Sequence, residues 1–404
     1  MNREPRQRAL TLICPVRGGA RGALASDLAE LGEPLQQAFR SLPSLHFARF
    51  LVLPSDASEA ELLFELCYDE SLAPLLSALW ASAGRELSRV FGHCVLSQPL
   101  TSAKEFQGFT TRHAVRVEAA HAIHAELTVS AIRNDARLER VLQAELDRAQ
   151  AVDAVEAHGP FEIAAALQAH ARVAHGSWLG SPRPAARAGE VDRLAPIRAR
   201  LWDVLLALAV FPLLEAGHWL ASLARRAASP AVEPEPSDLL RSSGALAQLV
   251  PVKPGRLRLF VLRLLLWLTH GWLEQRSATD GQALLHVHHL RWLLRPGPRL
   301  LVLAHADVGP AALLAQRGPW ERLLSALIWR QTEGFPGGFW ATVLGSRREA
   351  ALLAWLRGSL LSSELWYSAY PWLTVGTIER NQRLRELVAE ELDRERAAEL
   401  CALL

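Results

Sequence analysis

The chain has 404 residues, of which half are hydrophobic and 21% are charged, and its formal net charge is +2. That length suffices for two or three domains with separate cores, and the composition excludes a disordered chain. The balanced charge gives no electrostatic reason to expect nucleic acid as a partner.

The start of the chain, MNREPRQRALTLICPV, lacks a continuous apolar segment, so we predict no signal peptide. The four cysteines, Cys14, Cys67, Cys94 and Cys401, include no C-x-x-C pair. A disulfide framework is unusual in a chain of this size. The cysteines therefore predict reduced thiols in a cytoplasmic protein.

The first part of the chain predicts alternating strands and helices. The apolar run ALTLICP from Ala9 ends at a proline and predicts a strand, and a helical stretch follows over Arg21–Arg40. Two further strands begin at Leu45 and Glu61, and an amphipathic helix is predicted over Leu72–Val90.

Residues 149–243 interrupt this pattern. Two linkers rich in proline and alanine, SPRPAARAG and SPAVEPEPSD, flank an apolar run from Leu201 to Arg226. The run approaches the ~20 residues that a membrane-spanning helix needs. However, it contains Asp203, Glu215 and His218, and ionisable groups are costly inside lipid.

The second half of the chain repeats the first. Residues 373–394, LTVGTIERNQRLRELVAEELDR, match residues 127–148, LTVSAIRNDARLERVLQAELDR, at ten of 22 positions. About two identities would arise by chance. The segment ALAQLVPVKPG from Ala245 likewise matches ALTLICPVRGG from Ala9. We interpret the chain as a duplication, with a first repeat over residues 9–148 and a second over 245–394.

Both repeats predict the order strand, helix, strand, strand, helix, strand, which is that of the ferredoxin-like fold. In the second repeat, a Pro-Gly turn joins VHHLRWLL to RLLVLAHADV and predicts an antiparallel hairpin. The sequence therefore predicts an α+β protein with antiparallel sheets. Its parts are a ferredoxin-like repeat over 1–148, an apolar helical insert over 149–243 and a second ferredoxin-like repeat over 244–404.

Several segments of the chain resemble a family of uncharacterised bacterial proteins. They are VKPGRLRLFVLRLLLWL, HHLRW, TEGFP and ELWYSAYPWLTVGTIERNQRLRE. The repeat unit of that family is similar to the dimeric α/β-barrel superfamily, which includes dye-decolourising peroxidases and chlorite dismutases. The resemblance implies two repeats packed sheet against sheet, so that one chain forms the barrel that simpler relatives build as dimers. It also raises haem as a cofactor.

The chain departs from the turn Ser-Asn-aromatic-Asp-Gly that is usual in the family. The second repeat has AHADV at residues 304–308 and the first has LCYDE at 66–70, so only Asp307 and Asp69 remain. Whatever the small polar residues and the glycine do in the family is therefore not carried over to this chain.

Histidines on the neighbouring strands give the sharpest candidate site. If the Pro-Gly turn closes the second hairpin symmetrically, His288 faces His305 and His286 faces Asp307, and all four share one face of the sheet. A shift of two residues places His288 opposite Asp307 and keeps the shared face. A shift of one residue separates them.

In the first repeat, pairing Leu53 with Leu62 sets His46 opposite Asp69. Each repeat is therefore predicted to hold one His-Asp pair, and the four residues of the two pairs are the candidate catalytic groups. Such a pair can orient an imidazole for proton transfer or support a ligand of haem or of a metal. A purely structural pair that satisfies a buried histidine explains the same pattern.

A metal site and a ligand site are further alternatives. Zinc or iron suits the set His286, His288, His305 and Asp307. Ligand contacts are predicted for the set Arg49, Arg291, Tyr367 and Tyr370. The two arginines lie on the opposite strand face from His46 and His288 unless a bulge intervenes, and each suits a carboxylate or an anionic ligand. Aromatic residues in a last strand usually fill a core instead.

The segments Leu201–Arg226 and Arg256–Leu273 have the highest apolar density of the chain and carry arginines near their ends. We expect them to contact the cytoplasmic side of the inner membrane, peripherally or monotopically. The alternatives are a transmembrane hairpin and burial against the sheets.

Two functional hypotheses remain open. The chain has no Walker A loop, no G-x-G-x-x-G after a strand, no G-x-S-x-G and no H-E-x-x-H, which argues against nucleotide binding and serine hydrolysis. The first hypothesis is a membrane-associated binding or structural protein, with a small hydrophobic ligand as one partner. The second is an oxidoreductase that uses haem or a transition metal between the two sheets.

Overall fold

The computed structural model describes residues 7–54, 60–69, 71–96, 98–151, 159–179, 244–279, 286–309, 312, 327–335, 354–356 and 358–404. The apolar segment 201–226 lies outside the described residues. The repeat also predicts an amphipathic helix over residues 318–330, and most of that stretch lies outside the described residues as well.

The first repeat forms four strands and five helices within the described residues, in an order close to the predicted one. They are β1 (Arg8–Pro15), α1 (Arg21–Glu30), α2 (Gly32–Arg40), β2 (Leu45–Pro54), β3 (Ala60–Tyr68), α3 (Leu72–Phe91), α4 (Ala103–His113), β4 (Ala119–Ala122) and α5 (Val129–Ala151). The helix predicted over Arg21–Arg40 is interrupted at Leu31. Pro34 explains the break, because a proline fits only the first turn of a helix.

The second repeat follows helix α6 (Pro160–Leu179), which lies in the predicted insert. The described elements of this repeat are β5 (Gly244–Pro251), α7 (Arg256–Thr279), β6 (Val287–Arg295), β7 (Arg299–Ala306), β8 (Leu360–Leu361), β9 (Leu365–Ser368), α8 (Val375–Ala389) and α9 (Arg394–Leu403). Gly297, in the turn between β6 and β7, has a φ of 78°, which is costly for other residues.

The strands form two antiparallel sheets, so the predicted α+β class is confirmed. The first sheet has the order β1-β3-β2-β9 and the second has the order β4-β6-β7-β5-β8. The last strand of each repeat therefore belongs to the sheet of the other repeat: β4 pairs with β6, and β9 pairs with β2.

Backbone contacts at this exchange are matched between the repeats. The amide of Ala369 donates to the carbonyl of His46 at 2.8 Å, and that of Ile123 donates to the carbonyl of His288 at 3.1 Å. In the repeat alignment, Ile123 corresponds to Ala369 and His46 to His288. Each repeat is thus bonded to the other through equivalent backbone hydrogen bonds, from the residue after its own last strand to the histidine of the other repeat.

Both faces of the central strands are covered. On one face of the first sheet, Phe50 and Phe64 pack among residues of the helices, with ring centroids 4.3 Å apart. On the other face, Leu51 and Leu63 share an apolar cluster with Leu301 of the second sheet. Strands buried on both faces need apolar residues at nearly every position, as β2 and β3 show.

Helix α7 includes the apolar segment Arg256–Leu273. Leu262, Leu266 and Leu273 are buried in a cluster with Trp292 and Leu300 of the second sheet. Much of the apolar surface of this helix is thus covered by the protein itself. In the part of the chain that the structure describes, no helix combines the length and apolarity needed to cross a membrane.

Candidate functional site between the sheets

The first repeat contains a buried chain of hydrogen bonds that ends at a helix. Nε2 of His46 donates to Oδ1 of Asp69 at 2.6 Å, because a carboxylate can only accept. The other oxygen of Asp69 accepts the backbone N–H of Val129 at 2.8 Å, at the start of α5. Nδ1 of His46 lies 2.8 Å from the hydroxyl of Tyr370. Both ring nitrogens of His46 and both oxygens of Asp69 are therefore engaged.

The second repeat builds the same chain from equivalent residues. Nε2 of His288 donates to Oδ1 of Asp307 at 2.7 Å, and Oδ2 of Asp307 accepts the backbone N–H of Val375 at 2.7 Å. Val375 begins α8. Each repeat thus contains the His-Asp contact that the sequence predicts.

These contacts explain the repeated Leu-Thr-Val. Thr128 and Thr374 cap their helices, since the side-chain oxygen of each accepts a backbone N–H three residues later, from Ala131 and Thr377. The valine after each threonine offers a further N–H to the aspartate. Helix N-termini favour negative charge, so the aspartate is held by the helix as well as by the histidine.

The strand register differs from the prediction by one residue, and a bulge compensates. Arg295 pairs with Arg299 instead of Pro298, and His289 instead of His288 faces His305. A register irregularity between Val287 and His289 then brings His288 to Asp307. A three-residue turn in place of the symmetric two-residue turn causes the shift.

The first repeat shows the same correction. Leu53 pairs with Glu61 instead of Leu62, and an irregularity between Leu45 and Phe47 restores the contact of His46 with Asp69. The sequence predicts that His46 and Arg49 lie on opposite faces of their strand unless a bulge intervenes. Both repeats have a bulge beside the histidine, so the condition for that prediction is not met.

A single carboxylate lies between two arginines at the centre of the interface. Nε of Arg49 donates to Glu65 at 2.7 Å, and Nη1 of Arg291 lies 3.2 Å from the other oxygen of Glu65. All three side chains are almost completely buried. Burial alone would raise the pKa of Glu65, but the two guanidinium groups hold it well below its usual value. In the second repeat, Leu303 occupies the position of Glu65.

The arginines also connect the two sheets. Nη1 of Arg49 donates to the carbonyl of Leu246 on β5 at 2.8 Å. Nη1 of Arg291 donates to the hydroxyl of Thr11 on β1 at 2.9 Å. The predicted ligand residues Arg49 and Arg291 are thus occupied by protein groups.

His305 lies in the same interface. Its ring stacks on Phe47 with centroids 4.5 Å apart, its Nδ1 accepts from the indole N–H of Trp366 at 3.1 Å, and its Nε2 lies 3.5 Å from Glu65. Burial lowers the pKa of His305 to about 4. Burial raises the pKa of the neighbouring Cys67 thiol to about 12.

The predicted metal ligands do not converge as one set. His288 is bound to Asp307, His305 lies against Glu65, and only the backbone carbonyl of His286 reaches Asp307. Among the described residues, the group with ligand atoms within 4.8 Å of one another is Glu65, Cys67 and His305. A cation there would face both arginines, because Nη2 of Arg291 also donates to Cys67 at 2.7 Å. We therefore do not assign a metal to this group.

The two predicted tyrosines separate. Tyr370 contacts His46 in the interface, whereas Tyr367 packs on Phe39 of α2 in the hydrophobic core, with ring centroids 5.6 Å apart. Sequence reasoning missed several residues that carry polar groups in the interface. Glu65, Cys67, His124 and His289 are buried, and Gln7 and Trp366 are partly buried. An acidic residue inside the apolar strand ELLFELCY was the available signal for Glu65.

The residues between the sheets do not suit haem. Phe47 stacks on His305, Arg49 spans to the opposite sheet, and Leu51 packs against Leu301. A porphyrin between these groups would have to displace the contacts that join the sheets.

The repeats differ at one position of the His-Asp chains. His124 stands where the first repeat's partner Tyr370 stands in the alignment. Nε2 of His124 is buried without a hydrogen-bond partner in the described part of the chain. Burial first, and then the charge of nearby His288, lower the pKa of His124 to about 4. Among the described residues, Nδ1 of His288 also has no hydrogen-bond partner.

Comparison of the chain with protein-family models, with curated proteins and with solved structures finds no match.

Proposed function

We propose that the chain is a membrane-associated bacterial binding protein without a catalytic reaction of its own. Its scaffold would be two tandem ferredoxin-like repeats that exchange their last strands and form a pseudo-dimeric α/β barrel. The matched strand pairings at β4 and β9 support this architecture. The filled interface favours a rigid binding scaffold over an enzyme with a large cofactor between the sheets.

The site that we propose for the ligand is the His-Asp pair of the second repeat. The observation that carries the proposal is the buried Nε2 of His124 beside His288, which has no hydrogen-bond partner in the part of the chain that the structure describes. Because Nε2 of His288 donates to Asp307, the other ring nitrogen, Nδ1, is the one that can coordinate an ion. Histidines that bind metals are commonly oriented by a carboxylate in this way.

A transition-metal ion is the ligand class that suits two imidazole nitrogens. The test is an exchange of the distinguishing residue. The protein should bind Co²⁺ with a visible absorption band, and His124→Tyr should abolish the band by restoring the first repeat's arrangement. His46→Ala should leave it unchanged, because His46 is already closed by Tyr370. A band that survives in both His124→Tyr and His288→Ala would contradict the proposed site.

The membrane proposal is supported by the apolar sequence of residues 201–226. If this segment lies on a bilayer, the protein should pellet with membranes, resist extraction by high salt and require detergent for release. Replacing Phe211 and Trp219 by Ser should move it to the soluble fraction. Phe260→Ser is the comparison, because Phe260 lies on α7, which packs against the second sheet. A wild-type protein that stays monodisperse without detergent would contradict membrane contact.

A further inference from the structure

Two cysteines of the first repeat lie side by side away from the His-Asp chains. Sγ of Cys14, on β1, is 3.0 Å from Sγ of Cys94, just after α3, and both residues are buried. The backbone holds them there, because the N–H of Val95 donates to the carbonyl of Pro15 and that of Arg17 donates to the carbonyl of His93, both at 2.9 Å. Both cysteines are free thiols.

We propose that Cys14 and Cys94 form a reversible disulfide and are a redox modification site of this protein. A disulfide has an S–S distance of about 2.05 Å, so the sulfurs need to approach by about 1 Å. The backbone contacts on both sides already keep β1 beside the residues that follow α3. The cross-link therefore requires side-chain adjustment instead of a new fold.

The second repeat shows that the fold does not need thiols at these positions. Val250 takes the place of Cys14 in the repeated segment, and Thr332 takes the place of Cys94, since the bridge of Val252 to Thr332 matches that of Val16 to Cys94. The matching backbone bonds are present, from Glu333 to Pro251 and from Lys253 to Gln331, both at 2.8 Å. A valine and a threonine thus satisfy the same packing. The cysteine pair adds a chemical capability that only the first repeat has.

The oxidant that we propose is a low-molecular-weight disulfide such as glutathione disulfide. The thiolate of one cysteine attacks it, forms a mixed disulfide and releases one glutathione thiolate. The thiolate of the second cysteine then attacks the protein sulfur and releases the second glutathione. The cysteines lose two protons and two electrons in total, and one glutathione disulfide is reduced to two thiols.

Access to the pair lies through the segment after α3. The contact with Cys94, and then burial, raise the pKa of Cys14, so the thiol is largely protonated and shielded in the folded protein. Reaction therefore requires this segment to open, and Val95 is half exposed there. Slow oxidation in the folded state is expected, in proportion to that opening.

The cross-link would stiffen the interface between the sheets. Cys14 lies on the same strand as Thr11, whose hydroxyl accepts from Arg291 of the second sheet. A link between β1 and the residues after α3 therefore restrains a strand that contacts Arg291, which pairs with Glu65.

The test uses the full chain with Cys401→Ser, which removes the thiol that is not fully buried. After incubation with glutathione disulfide, the intact protein should lose the mass of two hydrogen atoms. Trypsin should release ALTLICPVR linked to VFGHCVLSQPLTSAK. Dithiothreitol should reverse the link. The oxidised form should have a higher Tm, because the link closes a long loop of the unfolded chain.

The matched control is Cys94→Thr, which copies the second repeat. It should fold, and it should lose the link and the Tm difference. Three outcomes would overturn the proposal: Cys14 and Cys94 both remaining alkylatable, a mixed disulfide that stops at one of them, or a link that involves Cys67.

Discussion

The two His-Asp chains share a geometry and differ in what closes them. In the first repeat, the phenol of Tyr370 occupies Nδ1 of His46 at 2.8 Å. In the second, the shorter His124 stands at that position, and its Nε2 is buried without a partner among the described groups. Native proteins satisfy most buried polar groups, so one unsatisfied position beside a satisfied copy needs an explanation.

The contacts common to both repeats, from histidine to aspartate to a helix N-terminus, hold the strands and helices in place. The position that differs, Tyr370 in one repeat and His124 in the other, is the one at which we propose that a ligand binds. The centre of the interface also differs between the repeats. Glu65 pairs with both arginines, so one negative charge faces two positive ones, and Leu303 occupies its place in the second repeat.

The largest effect is expected from making the centre symmetric. Glu65→Leu copies Leu303 and leaves Arg49 and Arg291 without their buried carboxylate. Removing one partner of a buried ion pair costs about 3–5 kcal/mol, so the free energy of unfolding should fall by that order. Urea denaturation measures it.

Glu33→Ala is the control for Glu65→Leu, because Glu33 forms only an exposed pair with Arg40. It should change stability very little. A Glu65→Leu protein as stable as the wild type would mean that the two arginines find other partners between the sheets.

A smaller loss of stability should follow from removing the hydrogen bond between Tyr370 and His46. Tyr370→Phe removes the hydroxyl and leaves Nδ1 of the buried His46 unpaired, which costs about 1–3 kcal/mol. His124→Phe in the second repeat removes no hydrogen bond of Nε2, so it should not show that loss. Both variants are measured in urea with a chelator present. Equal losses in the two variants would contradict the distinction between a closed and an open chain.

The sequence predicts the duplication from residue identity at fixed spacing. It also predicts the His-Asp pairs, although the strand register assumed for each pair is wrong by one residue and a bulge restores the contact. It could not reveal the strand exchange. Alternating apolar residues define a strand, but not whether β4 and β9 pair with their own repeat or with the other one. The bulges beside His46 and His288 escaped for a related reason, because neither position carries a glycine or proline as a signal.

Identical residues also adopt different structures in the two repeats. Glu-Leu-Asp-Arg lies inside the continuous helix α5 at residues 145–148. In the second repeat, Glu391, Leu392 and Asp393 lie between α8 and α9, and Arg394 begins α9. Asp393 caps α9 by accepting the N–H of Arg396 at 2.8 Å. The tetrapeptide permits both states, and packing decides between them. Helix α9 shares a core cluster with α6, an element outside the repeated sequence.

The finest comparison concerns acid. Burial lowers the pKa of His121, His124 and His305 to about 4, against about 6.5 for an unfolded histidine. Between these values the unfolded chain binds protons that the folded protein does not. The free energy of unfolding is therefore greatest above pH 6.5 and falls as the pH drops towards 4. Each histidine contributes up to about 1.4 kcal/mol per pH unit.

His124→Tyr removes one of these histidines and copies Tyr370, so the free energy of unfolding of this variant should fall less steeply with decreasing pH, by about that amount. Urea midpoints at pH 7, 6 and 5 in the presence of a chelator measure both slopes. Equal slopes for the wild type and His124→Tyr would show that His124 titrates normally in the folded protein. That result would contradict the assignment of a buried, unpaired nitrogen to His124.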